Sequence, residues 1–286
     1  RHGERLHRLR SNPQRRQGAW VRLEDMSPAL RNALLLSEDQ RFYEHSGVDW
    51  QAAAAAAWGR LWHQRTRGAS TITMQLAGLI DDELRLGPGG RSWGQKIGQV
   101  LTARELESRW RKDQILEAYL NLVPFRGELV GIDALSRTLF GKAAHGLDAR
   151  EAAIASALVR APNANVRQVT QRACGVLGQM QNAQTPSKPA VKLPPPDCDA
   201  LDLFATAALQ RRAFDPSEGI APHAARQALR EGRAGAAAPG GTVRTTLHAP
   251  LQRFAVQTLT QHLRELQGRH VEDGAIVVLD NRTGEV

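Results

Sequence analysis

From Ser27 to about residue 185, apolar residues return every three or four positions, a period that commits this stretch to packed helices. Ser27-Pro28 opens the first of them. The serine hydroxyl caps free amides, and proline is tolerated at a first helical turn. Leu30, Ala33 and Leu34 then share one face, and Glu38 falls one turn past Leu34 on that same face. Phe42 lies one turn further and is expected to pack. Asp39 is rotated about 100° away from Glu38, so the two acids cannot share one role. Gly47 closes the element. Further helices are predicted over DWQAAAAAAWGRLW, after the Gly68 turn into STITMQLAGLI, and over WGQKIGQVLTARELESRW. RKDQILEAYLNLVPF follows, with Ile115, Leu116, Tyr119 and Leu120 on one stripe, then helices around ELVGIDALSRTLFG and DAREAAIASALV.

Outside this stretch the character changes. Residues 1–26 are basic, and within them AWVRLEDM alternates enough for one strand, giving a strand-containing arm. Residues 27–185 form the helical domain. Residues 186–241, opening within NAQTPSKPAVKLPPPDCD and ending in EGRAGAAAPGG, read as a Pro/Gly-rich linker carrying helices. Residues 242–286 supply a strand at TVRTTL, an amphipathic helix and a buried strand at GAIVVLDNRTGEV: the start of a second domain. Val21 to Leu23 and Val243 to Thr246 are expected to be strands of one small sheet, because a lone strand leaves its amides unpaired.

The net charge of +9 points to an anionic partner. Nucleic acid is poorly supported: the basic residues are scattered, aromatics are 5% of the chain, and no zinc or RNA-binding pattern occurs. Cys174 and Cys198 lack metal-ligand spacing and read as two unrelated thiols. No run approaches the ~20 apolar residues that span a bilayer. RHGERLHRLR reads like the middle of a protein, so any membrane anchor is expected upstream.

Glu38, Asp39, Phe42, His45 and Gly47 form the pattern EDxxFxxHxG, and some twenty residues on comes GASTITMQL, residues 68–76. Together with RKDQILEAYLN, GIDALSRTLFGK and LDAREAAIASALVRAPN, in that order, these resemble the peptidoglycan glycosyltransferase domain of class A penicillin-binding proteins. Met74 before Gln75 and GQKIGQ around Lys96 look most like the 1C type. The ending TVRTTLHAPLQ…AIVVLDNRTGEV resembles the linker and first strand of that family's transpeptidase domain. No Ser-x-x-Lys, Ser-x-Asn or Lys-Thr-Gly set occurs here, so no transpeptidase site is expected in these residues.

The resemblance implies a mainly α, lysozyme-like fold with a small β-containing junction. It implies that Glu38 is the catalytic base, taking the proton from the 4-hydroxyl of lipid II. It places Asp39, His45, Ser70, Thr71, Gln75, Lys96 and Gln99 at the substrate, with Lys96 on phosphate. Asp39 is equally suited to structural hydrogen bonding, and His45 either orients Glu38 or satisfies a core bond. The implied partners are lipid II, lipid-linked glycan, a membrane surface and other cell-wall synthesis proteins, at the periplasmic face of the bacterial inner membrane. A divalent metal, Mg or Mn, is the one cofactor left open. Three positions depart from the family pattern: Gly78 where a cation usually follows the motif-two Gln, Gln95 in place of Arg, and Gln99 in place of a second Glu. A lysozyme-like hydrolase, with Glu38 as acid, and a non-catalytic glycan-binding module are the alternatives.

Overall fold

Ser27 starts helix α1 (Pro28–Glu38) in the expected way. Its Oγ accepts the Ala29 amide at 3.2 Å and donates to the Leu147 carbonyl at 2.7 Å, so one hydroxyl caps α1 and ties it to a distant loop. Leu30, Ala33 and Leu34 are buried, as their spacing predicts. The computed structural model describes residues 4–9, 15–61, 70–81, 93–184, 195–210, 217–232 and 241–286. The chain divides into two compact units, one of Gln14–Ala213 and one of Arg1–Pro13 with Phe214–Val286.

The first unit is helical. After α1 come α2 (Trp50–Leu61), α3 (Ile72–Ile80), α4 (Trp93–Arg109) and α5 (Lys112–Leu122). Then α6 (Ile132–Leu135) widens into a π turn (Ser136–Phe140), followed by α7 (Ala149–Arg160), α8 (Val166–Gln184) and α9 (Cys198–Gln210). Helix α1 lies against α7, α7 against α8 and α8 against α9, while α3 packs on α4 and α5. Phe42, Ile72, Leu76, Ile115, Leu116 and Tyr119 join the central apolar cluster. A part-buried ionic brace holds the α3–α4–α5 group together. Glu107 of α4 accepts from Thr73 Oγ1 of α3 and Lys112 Nζ of α5, both at 2.6 Å, and the same ammonium sits 4.4 Å from the Phe42 ring centre.

The unit is longer at both ends than residues 27–185. At its C-terminal end, α9 packs on α8 and is bonded to it: Cys174 and Cys198 form a disulfide. The expectation of two unrelated thiols is thereby overturned. A separation of 24 residues hides the pairing from any local pattern, and only the docking of α9 brings the Cα atoms to 5.7 Å. A cross-link that closes a loop of this length restricts the unfolded chain and stabilises the fold by roughly 3 kcal/mol. Cys198→Ser is expected to lose about that much in urea unfolding and to become indifferent to reductant. Identical curves for the wild type with and without reductant would contradict the cross-link.

At the N-terminal end the strands lie elsewhere than the sequence suggests. Strand β2 (Arg16–Gln17) pairs in parallel with β3 (Leu129–Val130). Val21 and Arg22 are not in a strand, and Leu23–Asp25 is a 3-10 turn. The reason is a side chain that takes the place of a strand. Asn121 of α5 accepts the Val21 amide on Oδ1 and donates to its carbonyl from Nδ2, each at 2.8 Å. Both backbone groups are satisfied without a ladder. Glu117 holds the next residues, accepting from Trp20 Nε1 at 2.7 Å and the Leu23 amide at 2.8 Å. Gly131 closes this clamp from behind. Its φ is +79°, and a Cβ there would lie 2.5 Å from the Asn121 carbonyl oxygen, so only glycine fits.

In the second unit β1 (His7–Leu9) pairs antiparallel with β4 (Ser217–Gly219), followed by α10 (Pro222–Arg230) and α11 (Ala249–Glu265). Residues 243–246 and 275–279 do not form the expected strands, because neither segment has a partner strand among the described residues. Thr246 instead donates from Oγ1 to the Val286 carbonyl at 2.9 Å. No helix among the described residues is long and apolar enough to cross a membrane.

Candidate active site

Helix α1 ends at Glu38, where the chain leaves helical geometry at Asp39 with φ −157°. The turn separates the two acids as their helical rotation implies. Glu38 remains partly exposed, whereas Asp39 is buried. Each then meets a different part of α3. The Asp39 carboxylate accepts from His45 Nε2 at 2.9 and 3.0 Å and from the Ile72 amide at 3.0 Å. Ile72 is the first residue of α3, so the acid sits at the positive end of that helix. Asp39 and His45 thus lock the end of α1 to the start of α3, and His45 orients Asp39 rather than Glu38. With Nε2 toward the carboxylate, His45 keeps its Nδ1 buried without a partner among the described residues.

Glu38 is approached by two donors. Ser37 Oγ donates to Oε1 at 3.0 Å, and Gln75 Nε2 of α3 points at Oε2 from 3.4 Å. The Gln75 carbonyl oxygen accepts in turn from the Tyr119 hydroxyl at 2.6 Å. The structure therefore brings Glu38 and Gln75 together.

Thr71 caps α3, accepting the Met74 amide at 3.2 Å and donating to the Gly47 carbonyl at 2.6 Å. Gly47 is required there by its backbone. Its φ is +87°, and a Cβ would stand 3.0 Å from the Ala103 backbone of α4. Ser70 precedes the cap, and its Oγ is buried without a partner among the described residues. On α4, Lys96 is exposed and Gln99 is 1% exposed, so the position of the family's second acid faces inward. Gly78 is buried on α3. The side chain of Gln95 lies outside the described residues.

Asp49 completes the loop after α1. It caps α2 through the Ala52 amide at 2.8 Å and pairs with Arg41. Burial raises its carboxyl, but the Ala52 amide and the Arg41 guanidinium outweigh burial and hold it below the usual carboxylate range.

Among the described residues no cluster of His, Cys, Asp and Glu converges to hold a metal ion.

Sequence reading missed Ser37, Tyr119, and the clamp of Glu117 and Asn121. Tyr119 carried one signal: a phenol in an otherwise apolar stripe needs a buried hydrogen-bond partner. Ser37 bonds its own neighbour, whereas Glu117 and Asn121 depend on residues brought in from far along the chain.

The family described as Transglycosylase matches residues 2–181. The chain is 38% identical over 176 residues to the biosynthetic peptidoglycan transglycosylase of Pasteurella multocida (strain Pm70), covering 58% of this chain and 70% of that one. It is 30% identical over 280 residues to penicillin-binding protein 2D of Bacillus subtilis (strain 168), covering 93% of this chain and 38% of that one. It is 41% identical over 150 residues to penicillin-binding protein 1C of Escherichia coli (strain K12), covering 51% of this chain and 19% of that one. The chain thus spans most of the first relative and well under half of the other two.

Proposed function

The chain belongs to the transglycosylase family, as a peptidoglycan glycosyltransferase of the class A penicillin-binding type, and from that premise we propose that it polymerises lipid II with Glu38 as the base. The observation that carries the reading is the meeting of two motifs at one carboxylate. Glu38 accepts from Gln75 of the second motif yet stays partly open, while Asp39 beside it is closed off in a structural bond. An open, oriented carboxylate next to a buried, committed one is what divides a base from its scaffold.

In the proposed reaction Glu38 removes the proton from the 4-hydroxyl of lipid II, the acceptor. The freed oxygen attacks the anomeric carbon of the lipid-linked glycan from the face opposite the leaving group. Undecaprenyl pyrophosphate departs with the bonding electrons, and the configuration inverts. Lys96, exposed on α4, supports neutralisation of the departing pyrophosphate. The excess of basic residues suits an anionic membrane surface. The Cys174–Cys198 disulfide suits an oxidising compartment, here the periplasmic face of the inner membrane.

Production of glycan chains from lipid II tests the reading. Within it, Lys96→Ala is expected to raise KM for lipid II about ten- to a hundredfold, since a bond to a charged group is worth about 1.5–3 kcal/mol. Its Tm should not change, because the side chain is exposed. An unchanged KM places the pyrophosphate elsewhere.

A further inference from the structure

Tyr119 lies in the buried stripe of α5 with Ile115, Leu116 and Leu120, and its exposure is 0%. It cannot reach solvent or substrate. Its hydroxyl nevertheless stands 2.6 Å from Gln75 Oε1, and the other end of that amide faces Glu38. We infer that Tyr119 is a positioning residue for glycosyl transfer, fixing which way round the Gln75 amide lies so that it donates to the Glu38 carboxylate. The inference rests on the reading of Glu38 as the base.

The reasoning is one of donors and acceptors. A side-chain amide carries a carbonyl at one end and an NH2 at the other, and either end fits the same space. With the NH2 toward Glu38, Oε2 gains a donor. Turned over, the amide sets its carbonyl oxygen against a carboxylate oxygen, two acceptors with no proton between them. The tyrosine hydroxyl has one proton to give. Giving it to Oε1 selects the first arrangement. Ser37 supplies the donor for Oε1 of Glu38, so both carboxylate oxygens are held while the side chain stays partly open. A base held in one orientation reacts from a larger share of its conformations.

Tyr119→Phe removes only the hydroxyl and keeps the ring in the core. It is expected to lower kcat for lipid II polymerisation about three- to tenfold, the equivalent of one neutral hydrogen bond, with KM unchanged. The double-mutant cycle with Gln75→Met separates positioning from packing. Methionine has similar bulk and no amide, so Tyr119→Phe should cost nothing further in that background. Gln75→Met alone should lower kcat at least as much as Tyr119→Phe, which keeps the test decisive should Tyr119→Phe fold poorly. Additive losses, an unchanged kcat in Tyr119→Phe, or a Gln75→Met variant that changes only KM each overturn the inference. Glu38→Gln assayed alongside tells the two levels apart. If Glu38→Gln is inactive and Tyr119→Phe is normal, the positioning role falls and the base stands. If Glu38→Gln is fully active, the base itself is wrong.

Discussion

Glu38→Gln is expected to keep the fold and to lower the rate of lipid II polymerisation by about 10²–10⁴-fold, the usual contribution of a general base. The amide matches the acid in size. Its carbonyl oxygen can still accept from Gln75 while its NH2 donates to the Ser37 hydroxyl oxygen, so the end of α1 has no reason to move. It cannot take a proton from a hydroxyl. The melting temperature should stay within a degree or two of the wild type, because Glu38 is partly exposed and outside the apolar cluster. Lipid II binding should persist, since the substitution leaves Lys96 and the α3 cap untouched. A variant that polymerises at the wild-type rate with a normal melting curve removes Glu38 from the chemistry.

Asp39→Ala is expected to do the opposite: to damage the fold first and the rate in consequence. Its carboxylate serves His45 and the Ile72 amide, and all three are buried. Removing it strands two donors, and the combined loss is roughly 3–5 kcal/mol by the cost of unsatisfied buried groups and lost bonds to a carboxylate. In a helical unit of this size each kcal/mol lowers Tm by about 2–4 °C, so a fall of about 6–20 °C is expected in thermal unfolding. Activity measured well below the new Tm should also fall, because the α1–α3 link sets the distance between Glu38 and Gln75. Asp39→Asn keeps one acceptor and should recover part of the stability. A stable but inactive Asp39→Ala would instead place this acid on the substrate.

The neighbouring acids show how far sequence can be read. Their separation by helical rotation is local geometry, so the differing fates of Glu38 and Asp39 were legible in the spacing. The Ser27 cap, the buried face of α1 and the packing of Phe42 were legible for the same reason. The partners were not. Asp39 finds an amide 33 residues away, Thr73 finds Glu107 at a separation of 34, and Val21 finds Asn121 at 100. Such bonds are decided when helices dock, and no period in the sequence records them. The expected strand at Val21 failed on this point. Alternation marked a strand, but the segment turns into a 3-10 helix at Leu23 and a side-chain amide, not a second strand, satisfies Val21. The cysteines failed likewise: spacing argued against a metal site and was silent on a cross-link between α8 and α9.

The central claim is that the carboxylate at the end of α1 drives glycan polymerisation. The measurement that tests it most directly is the size distribution of products after the protein is incubated with lipid II, with the Glu38→Gln variant run in parallel. The account predicts long glycan chains and released undecaprenyl pyrophosphate from the wild type, and unreacted lipid II from the variant. Unreacted lipid II from the wild type at every enzyme concentration would contradict it.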